Sequence, residues 1–355
     1  MPAEELLSRA REGFRLDAGN LLTLFHSSRL IEIAQAARER RESLHPKPEA
    51  TFIIDRNINY TNVCVYRCRF CAFYRPHHDP ESYLLSFDEI AEKVEETIAA
   101  GGTGILLQGG VHPGLKLEDY TSLLRRLKRC FPVVHLHAFS APEIWYVAKA
   151  EKIPVEEVLS ALIDAGLDSI PGGGAEILED QTRIRISSRA KAPTSVWLDI
   201  HRKAHHQGLR TTATMMFGVG ESVEARIEHL LGIRDLQDET GGFTAFIPWT
   251  FQEKDTALEG QFEVSGGVDY LKTLAISRLA LDNFEHVQGS WVTQGPKMGQ
   301  VSLFFGADDL GSIMLEENVV AAAGTSYQMS REEMVAMIEG AGLHARQRRT
   351  LYDAI

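Results

Sequence analysis

Eight short segments with strand-like patterns alternate with helical segments along most of this 355-residue chain. Each segment is an apolar or alternating run, and amphipathic stretches separate most of them. The alternation predicts a parallel α/β fold, and eight strands are the number that closes a (β/α)8 TIM-type barrel. A doubly wound open sheet is the alternative, and we favour the barrel. The predicted strands span residues 51–59, 103–110, 133–140, 168–174, 210–218, 242–249, 287–293 and 302–308.

The chain ahead of the first predicted strand carries helix signals. Residues 1–40 place apolar side chains at helical spacing. We therefore expect an N-terminal helical extension over residues 1–45, followed by the barrel and a C-terminal helical segment over residues 46–355. Ser86 and Glu89 form a capping-box signature, which predicts that a helix begins there.

Charge and cysteine content limit the partners and the compartment. The chain carries 49 acidic against 37 basic residues, a net charge of -12, which argues against nucleic acid because phosphate binding needs a basic face. We find no signal-peptide pattern at the start and no run of 18 apolar residues that would predict a membrane span. Four cysteines, three of them clustered, are typical of a reducing compartment. We therefore expect a cytoplasmic protein that acts on a small molecule.

Three of the four cysteines lie within eight residues, with the spacing Cys64-x3-Cys68-x2-Cys71. Closely spaced thiolates are soft ligands that suit zinc or an iron–sulfur cluster. A [4Fe–4S] cluster usually takes four cysteines. Three cysteines would leave one iron open to a small-molecule ligand, which makes the missing fourth ligand a functional feature.

A structural zinc site is the alternative to a cluster, and it needs a fourth protein ligand. His77, His78 or Cys130 could supply that ligand. Cys130 stands at a predicted helix end, where a small buried hydrophobic role is the more usual one for cysteine.

Glycines and a carboxylate stand at the ends of predicted strands. Gly109 and Gly110 end the second strand, where the lack of a side chain allows close approach to a ligand, although a tight turn is the alternative. Glu176 follows three glycines at the end of the fourth strand. It could accept hydroxyl hydrogen bonds, or it could be an acid at a helix N-terminus. Arg183 and Arg189 follow it, either as surface charges or as partners of a carboxylate.

The third predicted strand places His135, His137 and Phe139 on the face that points into the barrel. His137 lies nearer the active edge and is our candidate for substrate contact or proton transfer, whereas His135 fits a satisfied interior residue. A His-x-His pair also occurs in metal-dependent hydrolases, but later strands supply no further histidine ligands. Other polar or aromatic residues near strand ends are candidates for the substrate pocket, with core packing as the alternative for Trp249: Asn57, Asn59, Ser140, Trp249, Thr250, Thr293 and Gln294.

The cysteine spacing, with Phe70 just before the last cysteine, resembles the signature of the radical S-adenosylmethionine (SAM) superfamily. The resemblance implies a [4Fe–4S] cluster on the three cysteines, whose open iron is chelated by the amino and carboxylate groups of SAM. The same resemblance implies that Glu176 holds the ribose hydroxyls of SAM and that the fifth strand lies against the adenine of SAM. The implied cofactor-binding residues are Phe70, Gln108, Gly109, Gly110, Glu176 and Met216.

From about residue 50 to about residue 325 the chain resembles one narrower family, the cyclic dehypoxanthine futalosine synthases of menaquinone biosynthesis. The resemblance rests on the runs NINYTNVC, CRFCAFYR, LLQGGVHP, HLHAFSAPEI, AGLDSIPGGGAEIL, TTATMMFG, GGFTAFIPWTFQ and QGSWVTQGP. One departure is FGVGES at 217–222, where the family more often has FGHVET. Aminofutalosine synthase and the FO synthases are the nearest alternatives. The glycine run of the fourth strand argues against the FO synthases but is shared with aminofutalosine synthase.

The resemblance also implies a reaction. A 5'-deoxyadenosyl radical made from SAM takes the C4' hydrogen of the ribose of dehypoxanthine futalosine, and the carbon radical closes a spiro ring onto the benzoate ring. Loss of an electron and a proton completes the product, with His137 as our candidate base. A reduced flavodoxin or ferredoxin would be the electron donor. A non-enzymatic iron–sulfur protein is the alternative from another class, but it would usually use a fourth cysteine and would not need a barrel of this size.

Overall fold

The computed structural model describes residues 1–188, 191–325 and 327–355. The strands are β1 (Glu49–Ile53), β2 (Asp55–Ile58), β3 (Gly104–Leu107), β4 (His135–Ala138), β5 (Ser169–Ile170), β6 (Arg210–Phe217), β7 (Phe243–Thr250), β8 (His286–Val287), β9 (Asp309–Ser312) and β10 (His344–Gln347). The helices are α1 (Ala3–Arg11), α2 (Ala18–His26), α3 (Leu30–Leu44), α4 (Phe87–Ala99), α5 (Leu117–Cys130), α6 (Ala141–Glu151), α7 (Val155–Asp164), α8 (Asp180–Ile186), α9 (Thr194–His206), α10 (Val223–Thr240), α11 (Gly267–Ala280), α12 (Trp291–Gln294), α13 (Pro296–Ser302) and α14 (Arg331–Glu339).

The strands form a ring that closes where its last strand meets its first. Strands β2 to β8 make one parallel sheet in chain order. Strand β9 pairs with β1, which runs on into β2 with only Ile54 between them, and a parallel bridge joins Gln288 to Asp309 at the start of β9. The predicted (β/α)8 barrel is therefore confirmed, with the β1–β2 run as its first strand. Strand β10 adds to the other edge of β1.

Two of the predicted strands are wrong in part. Residues 302–308 were predicted as the eighth strand, but Leu303–Phe305 is a 3₁₀ turn and the strand begins at Asp309. Leu303 and Phe305 are buried while the residue between them is exposed, an alternation that a single 3₁₀ turn shares with a strand. In the seventh predicted strand, β8 ends at Val287 and residues 291–294 form the short helix α12.

The predicted N-terminal extension is helical, as α1, α2 and α3. Buried residues of these helices, among them Leu24 and Ile33, belong to the same hydrophobic core as the barrel helices. The predicted capping box is also confirmed, because the Ser86 side chain accepts from the Glu89 amide at the start of α4 and the Glu89 side chain accepts from the Ser86 amide. Within the described ranges, no helix is long and apolar enough to cross a membrane.

Strand register sets the height of side chains in the barrel. Asn57 pairs with Leu106, Leu106 with His137, and His137 with Ser169, across four neighbouring strands. These four residues form one layer. Adjacent strands lie about 4.8 Å apart, so the backbones of Asn57 and His137 are separated by about 10 Å.

Candidate active site

A cavity of about 460 Å³ lies inside the barrel and reaches from the carboxyl ends of the strands down to Arg348 and Tyr352 of the C-terminal segment. A larger cavity, of about 750 Å³, lies at the amino ends of the strands and contains none of the predicted site residues. Active sites of such barrels lie at the carboxyl ends, so the chemistry is expected in the smaller cavity. Its lining includes these predicted residues: Asn57, Asn59, Cys64, Cys68, Phe70, Cys71, Gln108, Gly109, Gly110, His137, Ser140, Glu176, Trp249 and Thr293.

The three clustered cysteines lie on the loop between β2 and α4, and none of them forms a disulfide. The Cys71 amide donates to the Cys68 carbonyl over 3.1 Å, which folds the loop back on itself. Burial raises the pKa of Cys68 to about 12, an effect that Lys191 opposes and that Glu176 and the other two thiols reinforce. Burial raises the pKa of Cys71 as well. Because burial makes the Cys68 and Cys71 thiols costly to ionise, a bound metal centre is needed to hold them as thiolates. An iron–sulfur cluster fits this requirement.

The spacing of possible ligand atoms argues against a single zinc ion on this loop. Zinc–sulfur bonds of about 2.3 Å in a tetrahedral site place the sulfurs about 3.8 Å apart. Across the described part of the chain, only His45, His286 and Asp308 bring three potential ligand atoms within 4.8 Å of one another. Those residues lie at the opposite cavity, and the cysteines of this loop do not form such a group among the described residues.

The predicted alternatives for a fourth ligand do not join the cysteines. Cys130 is exposed at the end of α5, so its predicted burial is wrong. The reason is that the last turn of α5 turns this position toward solvent. The rings of His77 and His78 contact each other, with 4.8 Å between centroids, and neither lines the cavity.

Glu176 is a buried carboxylate between two cations. Its backbone has a left-handed φ of 43°, and its Oε2 lies 2.7 Å from Lys191 Nζ and 3.7 Å from Arg183 Nη1. Arg183 is therefore a carboxylate neighbour and not a surface charge; it also donates to the carbonyls of Gly174 and Ala192. Arg189 lies outside the described residues.

Lys191 was not predicted from the sequence, because an isolated lysine in a loop carries no local signal. Burial lowers the pKa of Lys191, but Cys68 and Glu176 raise it by more, so the group remains a cation. Its Nζ also stands 5.0 Å from the centre of the Phe70 ring. Lys191 therefore links the cysteine loop to Glu176.

The glycines at the end of β3 pack directly against the chain that leads to the cysteines. A Cβ on Gly110 would lie 2.3 Å from the Val63 carbonyl oxygen, and one on Gly109 would lie 2.9 Å from the Tyr60 ring. The Gly109 amide points to Glu143 Oε1 at 3.4 Å. Glycine is thus required at both positions because the backbone packs closely against Tyr60 and Val63, with or without a ligand.

His137 is a neutral imidazole inside the barrel. Burial lowers its pKa to about 3, and His135 and Arg348 reinforce the effect. Its Nδ1 lies 2.6 Å from Ser169 Oγ, which is also 2.7 Å from His135 Nε2. Phe139 departs from the predicted alternation, because its left-handed φ of 58° turns its side chain into the core beside Tyr120.

Three predicted site residues lie outside the cavity lining. Met216 is fully buried in β6, where its amide donates to the Glu176 carbonyl over 2.7 Å. Gln294 donates to Thr250 Oγ1, and the helix α12 that carries Gln294 replaces the predicted strand end. The side chain of Met216 therefore does not face the cavity, and only its backbone is near Glu176. The side chains of Gln294 and Thr250 are hydrogen-bonded to each other.

Sequence reasoning missed the wall that the end of the chain contributes to this cavity. Residues from the loop after β9 and from the C-terminal segment line it: Met314, Glu317, Val319, Val320, Arg348, Thr350 and Tyr352. The loop was missed because the eighth strand was predicted at 302–308, whereas β9 spans Asp309–Ser312 and the loop follows it. The C-terminal segment carries no active-site pattern and reaches the barrel only because β10 pairs with β1.

Comparisons with known proteins agree with this geometry. The radical SAM superfamily model matches residues 58–231, and the model of the CofH/MqnC C-terminal region matches residues 240–355. Among solved structures, methylornithine synthase has the same fold, with a TM-score of 0.75 at 20% identity over 96% of this chain and 97% of its own.

Relatives with closer sequences cover almost the whole chain. Cyclic dehypoxanthine futalosine synthases from Halalkalibacterium halodurans and Streptomyces coelicolor are 46% and 43% identical to it, over 100% and 99% of this chain and 95% and 88% of their own. An aminodeoxyfutalosine synthase from Thermus thermophilus is 39% identical, over 99% of this chain and 95% of its own. The chain is therefore an enzyme of the radical SAM superfamily, and it belongs to the family that contains the cyclic dehypoxanthine futalosine synthases.

Proposed function

We propose that this enzyme converts dehypoxanthine futalosine to cyclic dehypoxanthine futalosine in menaquinone biosynthesis. The observation that carries the proposal is a single cavity that gathers three cysteines, a glycine turn and a buried glutamate, in a chain 46% identical to a cyclase of that name. In the proposed reaction the substrate loses its ribose C4' hydrogen, and C4' then closes a spiro ring onto the benzoate ring. One proton then leaves to a base, and one electron leaves to the oxidised cluster, which would accept it, so that the closed-shell product forms.

The radical SAM family implies a [4Fe–4S] cluster and SAM, and the residues of the cavity suit both. We infer that Cys64, Cys68 and Cys71 hold the cluster. When bound, the two groups supply a 5'-deoxyadenosyl radical, which is reactive enough to take an unactivated hydrogen. We assign the binding of SAM to Glu176, to the backbone of β6 around Met216, and to residues near the cysteine loop and the glycine turn: Phe70, Gln108, Gly109 and Gly110.

The protein's own contribution is to orient the substrate and to move one proton. The lining of the cavity supplies the substrate contacts that we propose for Asn57, Asn59, Ser140, Trp249 and Thr293. We keep His137 as the proposed base. When its Nδ1 donates to Ser169, its Nε2 carries a free lone pair. Because its pKa is about 3, the proton must pass on quickly and cannot rest there.

Isotope transfer tests the reaction directly. Deuterium placed at C4' of dehypoxanthine futalosine is expected in the 5'-deoxyadenosine formed under anaerobic conditions, because the radical takes only the hydrogen that is held against it. Deuterium at other ribose carbons serves as the control. Label transferred from one of those carbons would refute the cyclase proposal. His137→Ala is expected to slow product formation more than it slows deuterium transfer.

Aminofutalosine synthase activity is the second candidate, supported by the 39% identity to the Thermus enzyme. Anaerobic incubation with dehypoxanthine futalosine and, separately, with the enolpyruvyl-benzoate substrate of that enzyme separates the two. We expect product only from the first. A reduced flavodoxin or ferredoxin is our proposed electron donor, and nucleic acid is not a proposed partner.

A further inference from the structure

The loop that follows β9 brings a further carboxylate into the cavity, that of Glu317. Glu317 Oε1 accepts from the amides of Val319 and Val320, over 2.6 Å and 2.7 Å, and its Oε2 accepts from Asn57 Nδ2 over 3.0 Å. All three donors are neutral. No basic side chain among the described residues forms an ion pair with Glu317, whereas Glu176 is paired with Lys191.

The loop is anchored on both faces of β2, which fixes the position of Glu317 before a ligand arrives. Arg56 and Asn57 point to opposite faces of this strand. Glu316 pairs with Arg56 on the outer face, with 2.8 Å between Nε and Oε2, and also lies 2.7 Å from Lys93 Nζ. Glu317 contacts Asn57 on the inner face. A side chain held in this way loses little entropy when it binds.

Glu317 faces the barrel layer below the glycine turn. Asn59, the residue directly after β2, donates to the Gln108 carbonyl beside Gly109 over 3.0 Å. Asn57 stands one inward position deeper, level with His137 on β4. About 10 Å separates the backbones of Asn57 and His137, and Leu106 of β3 stands between them in the same layer, so all three residues line one face of the cavity.

Two of the cavity carboxylates, Glu176 and Glu317, stand on opposite walls. Glu176 follows β5, the fourth strand of the ring, and Glu317 follows β9, the eighth. Strands four places apart in a ring of eight lie across the barrel from each other. The Glu317 wall is therefore the one away from the residues that we assign to the ribose of SAM.

We propose that Glu317, positioned by Asn57, binds a hydroxyl group on the sugar of the substrate and so decides which end of the substrate enters the barrel. The inference rests on the proposed function, because dehypoxanthine futalosine has a sugar at one end and a benzoate at the other. Both lone pairs of Oε1 are occupied, whereas Oε2 has one left for a hydroxyl donor. Burial raises the pKa of Glu317, and in its ionised form this carboxylate, which has no paired cation among the described residues, repels the benzoate carboxylate.

Binding measurements on the holoenzyme test this inference without relying on turnover. Glu317→Gln keeps the shape of the side chain and removes its charge. We expect the affinity for dehypoxanthine futalosine, measured by anaerobic calorimetry, to fall about 10- to 100-fold, the range for a hydrogen bond to a charged group. The affinity for SAM should not change. Glu332→Gln, at an exposed position in the first turn of α14, is the matched control and should change neither affinity.

Substrate analogues that each lack one sugar hydroxyl give a second test. The analogue missing the bound hydroxyl should lose affinity for the wild-type enzyme but bind Glu317→Gln no more weakly than the full substrate does. Equal binding of the full substrate to wild type and Glu317→Gln would overturn the inference and leave the proposed function intact. A loss confined to SAM would also overturn it. A wild-type enzyme that binds no dehypoxanthine futalosine would overturn the proposed function, and this inference with it.

Discussion

Lys191 Nζ lies 2.7 Å from Glu176 Oε2 inside the cavity, so the carboxylate and the cysteine loop share one buried cation. The ion pair compensates two buried charges, and the carboxylate oxygens keep lone pairs that can accept from ligand hydroxyls. Removing one partner leaves a buried charge without compensation, so a single variant changes both stability and binding. Removing both partners changes binding without leaving a buried charge, and the comparison separates the two effects.

Glu176→Ala is expected to weaken SAM binding by about 1.5–3 kcal/mol, because it removes charged acceptors for the ribose hydroxyls. The same change should lower stability by about 3–5 kcal/mol, since Lys191 loses its buried partner. The double variant Glu176→Ala/Lys191→Met should recover much of the stability but none of the affinity. Calorimetric titration and thermal unfolding measure the two quantities, and an unchanged affinity in Glu176→Ala would remove its assigned role.

Each of the three clustered cysteines is expected to be necessary for the cluster. Replacing Cys64, Cys68 or Cys71 by Ala should abolish the brown iron–sulfur absorbance or the activity after anaerobic reconstitution, because three ligands leave no reserve. Cys130→Ala is the control, and its exposed position on α5 predicts full iron and sulfide content. Cluster loss in the Cys130 variant, together with its retention in a Cys64 variant, would contradict the three-ligand model.

Gly110→Ala is expected to disturb the cysteine loop through steric contact alone. Its Cβ would lie 2.3 Å from the Val63 carbonyl oxygen, and Val63 immediately precedes Cys64. We expect reduced iron incorporation after reconstitution, measured against total protein. Gly232→Ala is the control, because a Cβ at that helical site would meet Leu198 Cδ1 at an ordinary contact distance of 4.0 Å, and the change should stabilise the fold by about 0.5–1 kcal/mol. Normal iron content in Gly110→Ala would show that the loop can shift freely.

His201 is expected to make the fold sensitive to acid. Among the described residues neither of its ring nitrogens has a hydrogen-bond partner, and burial lowers its pKa well below the ordinary value. As the pH falls below about 6.5, the unfolded chain takes a proton that the folded chain refuses, so the free energy of unfolding drops by about 1.4 kcal/mol per pH unit from this group.

His201→Leu should therefore flatten the dependence of stability on pH between about 6.5 and 4.5, measured by denaturant unfolding at several pH values. It should cost little near pH 8, because an unpaired buried imidazole is replaced by an apolar side chain. His206→Leu, at the exposed end of the same helix α9, is the control. An unchanged slope in His201→Leu would mean that the ring is not held neutral.

Local sequence patterns determined the parts of this protein that depend on near neighbours. The spacing of Cys64, Cys68 and Cys71 was enough to predict a cluster loop, since its residues are joined by a few peptide bonds. The alternation of apolar runs and helical segments was enough for the barrel, and Ser86 with Glu89 for one helix start. These features arise within one turn, one strand or one loop, where the period of the pattern equals the period of the structure.

Only the tertiary structure placed the groups that the barrel brings together from distant parts of the chain. Lys191 lies between α8 and α9 and Glu317 follows β9, in loops without periodic patterns, and closure of the barrel brings both to the cavity. The eighth strand was misplaced because a 3₁₀ turn and a strand share one short alternation of buried residues. The low pKa of His137 likewise follows from burial by many strands at once. Burial and contact between remote loops depend on how the whole ring closes, and no local pattern records that.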